Sequence, residues 1–185
     1  MRADFKVLID ACVLANFGVC DLLLRLAEAP RLFLPVWSDE ILAETHRTHL
    51  EKLSWPKDIA GSFQEEIRKA FPHASVGDYG HLLDKLENHE KDRHVLAAAI
   101  HSATTLIVTF NGKHFPEEAL KPWGITATHP QDYLITLYEM APLEVVGRIG
   151  EIAGRRGIEQ TDLLLRLGKT LPNFASLLID ELNLG

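Results

Sequence analysis

The sequence predicts an α/β fold: a central parallel sheet with helices on both faces, followed by a purely helical extension. Three observations predict it. Short apolar, β-branched runs alternate with longer stretches of helical periodicity, the pattern of parallel strands joined by crossover helices. Two of those runs end directly on a polar side chain, Asp10 and Asn111, as strands do where a sheet meets a ligand crevice. Beyond Pro142 only helical periodicity is left.

Phe5-Lys6-Val7-Leu8-Ile9 reads as a first buried strand, with Asp10 at its carboxyl end. Residues 21–29 carry leucines at helical spacing and stop at Pro30. Residues 32–36 read as a second buried strand. Ser38 then suits an N-cap, and Asp39 and Glu40 suit a first helical turn, so a helix is expected to about residue 53. A further helix is expected over 58–70, a short strand at 74–76 and a short helix over 77–86. Asp92 opens a strongly helical stretch over 93–103. Residues 105–110 form the clearest strand, and Asn111-Gly112 turns the chain out of it. A helix begins at Pro116, 125–127 is a candidate edge strand, and 131–140 is helical. The tail divides into helices at 142–153, 159–167 and 172–182, with 154–157 as an interruption. Its leucines at 163–165, 167 and 171 leave three roles open: completing the core, covering the sheet edge or forming a partner groove.

Composition narrows the function classes. The chain has 185 residues, enough for a proper core, with 46% hydrophobic and 24% charged residues. No apolar run approaches the ~18 residues of a membrane span, and the start runs straight into a strand, so no signal peptide is expected. The two cysteines, Cys12 and Cys20, suggest neither a disulfide framework nor a zinc finger, and a cytoplasmic location is expected. A formal net charge of -7 excludes a large basic face for nucleic acid. It leaves room for a nuclease that uses carboxylates to hold cations.

Three acids stand out by position. Asp10 ends the first strand, Glu44 lies within the helix after the second, and Asp92 starts the helix that leads to the strand ending at Asn111. In a parallel sheet Asp10 and Asn111 leave the same edge, and the start of the Asp92 helix can reach it. Carboxylates held within about 5 Å repel by roughly 1 kcal/mol per pair in water and by more at lower dielectric. Such a cluster needs protons or cations, and hard oxygen ligands select Mg²⁺ or Mn²⁺. Each acid also has an ordinary reading: a turn former at Asp10, a solvated helix residue at Glu44, an N-cap at Asp92.

The combination is more specific than its parts. Val7-Leu8-Ile9-Asp10-Ala11-Cys12-Val13-Leu14 resembles the opening of PIN domains. Trp37-Ser38-Asp39-Glu40-Ile41-Leu42-Ala43-Glu44 resembles the second motif of one PIN subfamily, which makes Glu44 rather than Glu40 the metal-facing acid. The stretch from Asn88 to Ala99, centred on Asp92-Arg93-His94, resembles the third motif. Ile107 to Pro116, with Asn111, resembles the fourth. The motifs stand in family order. The resemblance implies a three-layer, Rossmann-like PIN fold over residues 1–140 with a helical C-terminal extension over 141–185. It implies an endoribonuclease that uses Mg²⁺ or Mn²⁺, with Asp10, Glu44, Asp92 and Asn111 as catalytic residues. It also implies frequent homodimers and, in the VapC-type branch, a toxin neutralised by a cognate antitoxin.

One position departs from the family. The fourth motif usually supplies an Asp where this chain has His114. Histidine is a poorer ligand for Mg²⁺ and an acceptable one for Mn²⁺ or zinc. The expected metal set is therefore Asp10, Glu44 and Asp92, with His114 as an altered fourth member. The same departure supports a rival reading, a catalytically impaired PIN-like module that binds an RNA or protein partner. A phosphatase of the haloacid-dehalogenase kind is disfavoured, because its second Asp would stand where Cys12 does. Thr109 is expected to orient Asp10 by a hydrogen bond. Arg93 is a candidate phosphate contact, His94 and His101 read as packing or surface residues, and Arg47, Lys52, Lys57 and Lys113 form a candidate RNA-guiding rim.

Overall fold

The computed structural model describes residues 4–183. Five strands form one parallel sheet: β1 (Lys6–Ile9), β2 (Leu34–Ser38), β3 (Ser75–Val76), β4 (Leu106–Val108) and β5 (Thr126–Thr128). Their spatial order is β3-β2-β1-β4-β5, and every pairing is parallel. The central strand pairs Val7 with Pro35 on one side and with Leu106 on the other. The chain therefore winds outward in one direction from β1 to β3. It then crosses back to β4 and continues to β5. Because such crossovers are right-handed, the reversal places helices on both faces of the sheet. It also opens a crevice at the carboxyl ends of β1 and β4, where the winding changes direction.

The strands are short and completely buried at their centres: Val7, Leu8, Ile9, Ile107 and Val108 are at most 1% exposed. After β1 come α1 (Ala11–Leu14) and α2 (Phe17–Ala27). The second helix starts four residues earlier than its leucine spacing predicts, because the Asn16 side chain accepts the Val19 N–H and caps it. The second strand runs two residues further than expected, to Ser38, whose hydroxyl also caps α3 (Asp39–Arg47) by accepting from Ile41 N. The predicted helix to residue 53 is α-helical only to Arg47, and Thr48–Lys52 continues it as a π-turn. Within that turn His49 is buried, stacked on Trp55 and edge-on to Phe63. Next come α4 (Lys57–Ala70), a 3₁₀ turn at Gly80–Lys85 in place of a helix over 77–86, and α5 (Arg93–His101), which packs across β1, β2 and β4. Close packing there explains the run Ala97-Ala98-Ala99, all at 0% exposure.

The remaining helices are α6 (Glu117–Leu120), α7 (Pro130–Met140), α8 (Pro142–Arg156), α9 (Gln160–Leu167) and α10 (Pro172–Glu181). The tail completes the core. Val145, Ile149, Leu163, Leu164, Phe174 and Leu178 belong to one apolar cluster with β1 and α2. The expected interruption at 154–157 begins only at Gly157, and residues 154–156 stay helical. A mid-helix glycine costs only about 1 kcal/mol, and the stripe Val145, Ile149, Ile152 and Ala153 outweighs it. The helix ends at Gly157, whose positive φ of 62° closes it. Arg156 ties the end of α8 to α2, with Nη2 2.6 Å from Asp21 Oδ2 and the guanidinium over the Phe17 ring. Among the described residues no helix is long and apolar enough to cross a membrane.

Candidate active site

The crevice at the carboxyl ends of β1 and β4 is a cavity of about 420 Å³. Asp10, Glu44, Asp92, Asn111 and His114 all line it. Residues from four distant stretches of sequence thus meet in one place.

Asp10 is its innermost acid, 2% exposed. Its Oδ1 accepts from Ala11 N at 2.7 Å, the start of α1. Its Oδ2 accepts from the Thr109 hydroxyl at 2.6 Å and from the Cys12 thiol at 3.2 Å. Thr109 does more than orient Asp10, because its oxygen also accepts the Asn111 N–H at 2.9 Å and so couples the ends of β1 and β4. Burial pushes the Asp10 carboxyl above its ordinary pKa and the nearby charge of Asp92 adds to this, against the lowering effect of the three hydrogen bonds. Burial and the neighbouring Asp10 push the Cys12 thiol up to about 12. It therefore stays protonated as a donor and is no nucleophile.

Glu44 faces the cavity and Glu40 does not. Glu40 lies further out, where Tyr79 donates to it at 3.3 Å. One helical side, Glu44, Arg47, Thr48 and Glu51, lines the cavity at spacings of three and four residues, and the π-turn adds Lys52 to it. His94 was expected to be a packing or surface residue. It is buried, but its Nε2 lies 3.4 Å from Glu44 Oε2 and its Nδ1 3.9 Å from Glu40 Oε1. Burial opposes its charged form, yet Glu44, Glu40 and Asp10 outweigh burial and raise its pKa.

Asp92 occupies the N-cap position of α5 but makes no capping hydrogen bond. Its Oδ2 instead lies 2.9 Å from His114 Nδ1 and 3.3 Å from His89 Nδ1. The rings of His89 and His114 stack with centroids 4.3 Å apart. The backbone holds the two segments together through His89 N donating to His114 O.

Two expectations need correction. Asp10, Glu44 and Asp92 share the cavity wall but do not close into a tight carboxylate triad. Among the described residues, the group of three ligating atoms within 4.8 Å of one another is His89, Asp92 and His114. The reason is that each acid has its own donors: Thr109 and Cys12 at Asp10, His94 and Arg47 near Glu44, the two histidines at Asp92. The cationic rim also differs from expectation. Arg47 and Lys52 line the cavity, Lys57, Lys113 and Arg93 do not, and Lys91 is an additional member. Sequence reasoning missed His89, Glu51 and Lys91. Only Glu51 carried a signal, its position seven residues after Glu44 on one helical face.

The donor set fits a hard divalent cation. The carboxylates of Asp10, Glu44 and Asp92 and the amide of Asn111 line one cavity, and burial leaves the innermost carboxylate hard to ionise without a nearby positive charge. No family model matches the chain, and no solved structure matches it. A curated relative does. The chain is 43% identical over 130 residues, 68% of its length and 77% of the relative's, to the protein named "Putative ribonuclease VapC50" of Mycobacterium tuberculosis. The chain belongs to the VapC-type PIN-domain family. The parallel sheet flanked by helices is the PIN fold expected from the four motifs. In this VapC-type chain His114 contacts Asp92 and stacks on His89.

Proposed function

We propose that this chain is the ribonuclease toxin of a toxin–antitoxin pair, an endoribonuclease that hydrolyses RNA phosphodiester bonds with Mg²⁺ or Mn²⁺. The observation that carries this reading is the convergence of Asp10, Glu44, Asp92 and Asn111 on one cavity at the reversal point of the sheet. Asp10, Glu44 and Asp92 hold the cation, with His114 as a fourth, softer member. When bound, such an ion activates water and offsets the charge that develops on the phosphate.

The protein's own residues bind, orient and exclude. Thr109 fixes the rotamer of Asp10 and, through Asn111 N, the turn that follows β4. Arg47, Lys52 and Lys91 on the cavity wall attract the RNA backbone locally in a chain of net charge -7. The 1–140 unit carries this catalytic site, and α8, α9 and α10 of the 141–185 extension complete its core. In this reading the enzyme acts in the cytoplasm as a homodimer and is neutralised by a cognate antitoxin.

Ribonuclease activity of the purified chain with Mn²⁺, compared with Asp10→Ala, tests the reading. Removing a first cation ligand is expected to cost more than about a hundredfold, beyond the 10–100-fold typical of residues one step removed. Equal activity in both proteins would overturn it. RNA bound but left uncut by the unaltered chain would favour the impaired, partner-binding module instead.

A further inference from the structure

We propose that Phe17, Trp55, Phe63 and Glu66 form a slot for one unpaired guanine of the RNA substrate, beside the acidic cavity. The slot rests on the ribonuclease reading for its substrate and adds the base that is selected.

Three observations carry it. First, a cavity of about 410 Å³ has three aromatic rings in its lining. The π-turn seats the first of them: Trp55 N donates to His49 O at 2.9 Å, and the Trp55 ring stacks on the buried His49 ring at 3.9 Å and 6°. His49 does not line the slot, so Trp55 meets it with the surface that the stack leaves open. Phe17 and Phe63 stand at 66° and 86° to Trp55, with centroids 5.9 and 6.1 Å away. The Arg156 guanidinium covers one face of Phe17, so this ring serves as a wall rather than as the floor. A flat floor between upright rings takes a flat ligand, and stacking on aromatic side chains is the general way to hold an unpaired base. Second, the slot and the acidic cavity share their walls. Ala15 lines the cavity and Phe17 the slot; Lys52 lines the cavity and Trp55 the slot. The joining stretches span at most about 7 and 11 Å. RNA with its scissile phosphate in the cavity therefore brings a neighbouring base to the slot. Third, α4 presents Ile59, Ser62, Phe63 and Glu66 on one face, which puts a hydroxyl and a carboxylate on an otherwise apolar lining.

The carboxylate decides the base. Guanine offers two adjacent donors on its pairing edge, N1–H and the N2 amino group, and the two oxygens of Glu66 can accept both. Adenine and cytosine set one amino donor beside a ring acceptor that a carboxylate repels. Uracil sets one donor between two carbonyl oxygens. Glu66 is free for this role, since its side chain is 73% exposed and its contact with Lys69 is a loose 3.9 Å. The aromatic rings supply affinity without regard to sequence, and Glu66 supplies the choice.

Fluorescence anisotropy of labelled oligouridylates carrying one central guanine, one central adenine or neither, titrated with the full chain in Ca²⁺, tests the slot. The guanine-bearing strand is expected to bind at least about fivefold more tightly than the other two. Trp55→Ala should weaken all three by about tenfold. Glu66→Gln should bring the guanine strand down to the level of the others, because a carboxamide has one acceptor oxygen in place of two. Glu66 is at the surface, so this variant keeps the fold even if Trp55→Ala does not. The proposal is overturned if the three strands bind alike or none binds, or if Glu66→Gln keeps the preference of the parent. It is also overturned if Trp55→Ala leaves RNA affinity unchanged but alters the oligomeric state by light scattering, which would make this face a protein interface. RNA cleavage with Mn²⁺ is a separate readout: its absence with the guanine preference intact would count against the ribonuclease reading only.

Discussion

The two walls of the cavity hold the same kind of group under different physical regimes. On the inner wall Asp10, Thr109 and Cys12 are locked by packing, and Asp10 is almost wholly removed from water. On the outer wall Glu44, Asp92, His89 and His114 keep partial access to solvent, with Asp92 beside both histidines and Glu44 beside His94. Dehydration makes the inner carboxylate costly to ionise, and its three fixed donors offset part of that cost. The outer groups are cushioned by water and can exchange partners. The inner wall is therefore built for position, and the outer wall keeps its polar groups in contact with water. Substitutions at the first should be severe, and those at the second should alter pH response.

Thr109→Val should break this contrast most strongly. Valine keeps the shape but removes the donor to Asp10 and the acceptor for Asn111 N. A loss of about 10–100-fold in kcat/KM for RNA cleavage is expected. An unpaired buried N–H should also cost about 1–3 kcal/mol of stability, measurable by denaturant titration. Because the Thr109 hydrogen bond lowers the Asp10 pKa, the acid limb of the pH–rate profile should move to higher pH. Thr109→Ser should restore both. An unmoved pH profile would mean that Thr109 serves packing alone.

The inner wall was also the part most legible in sequence. An apolar run ending on Asp10, and another ending on Thr109 and Asn111, fix three residues by strand geometry alone. Once the sheet is parallel they must share an edge. The outer wall was less legible. Glu44 and Glu40 sit one turn apart, and only the motif resemblance separated them. His89 caps a short 3₁₀ turn (Glu90–Asp92) and meets His114 through a backbone contact between segments 25 positions apart in sequence. No local periodicity encodes such a meeting. His94 read as packing because helical position predicts burial but not which acids lie opposite. The π-turn at Thr48–Lys52 has no signature in hydrophobic spacing, yet it helps to place Glu51 and Lys52 on the cavity.

The inner wall's dehydration gives a second expectation, on stability. The folded pKa of Asp10 is raised above its ordinary value, so the folded chain holds this proton to a higher pH than the unfolded chain does. Asp10's contribution is complete below the unfolded pKa and is lost as pH rises through the folded one. A bound divalent cation reverses the sign by favouring the carboxylate. Mg²⁺ at about 100 times its Kd should stabilise the fold by about 2.7 kcal/mol at neutral pH. Near pH 4, where the raised pKa leaves Asp10 more protonated than an ordinary aspartate, the gain should shrink markedly. Differential scanning calorimetry with and without Mg²⁺ at the two pH values checks this. An equal shift at both would mean that the stabilising cation does not meet Asp10.

The smallest effect is expected where the two walls meet, at His94. Its ring is buried between Glu44 and Glu40, and their charges, with that of Asp10, raise its pKa despite burial. Protonated His94 steadies Glu44 in the direction of the cavity. Its stabilising effect is fully present below the unfolded pKa and fades as pH rises through the folded one. His94→Gln preserves a polar contact but not the titrating charge, so kcat/KM should fall by about tenfold at most. More telling, the pH dependence of Mn²⁺ affinity should flatten in the variant, because the parent loses a cation beside Glu44 as His94 deprotonates. Mn²⁺ electron paramagnetic resonance across that pH range reads it directly. If parent and variant curves run parallel, Glu44 is positioned by the helix alone and His94 belongs to the core rather than to the site.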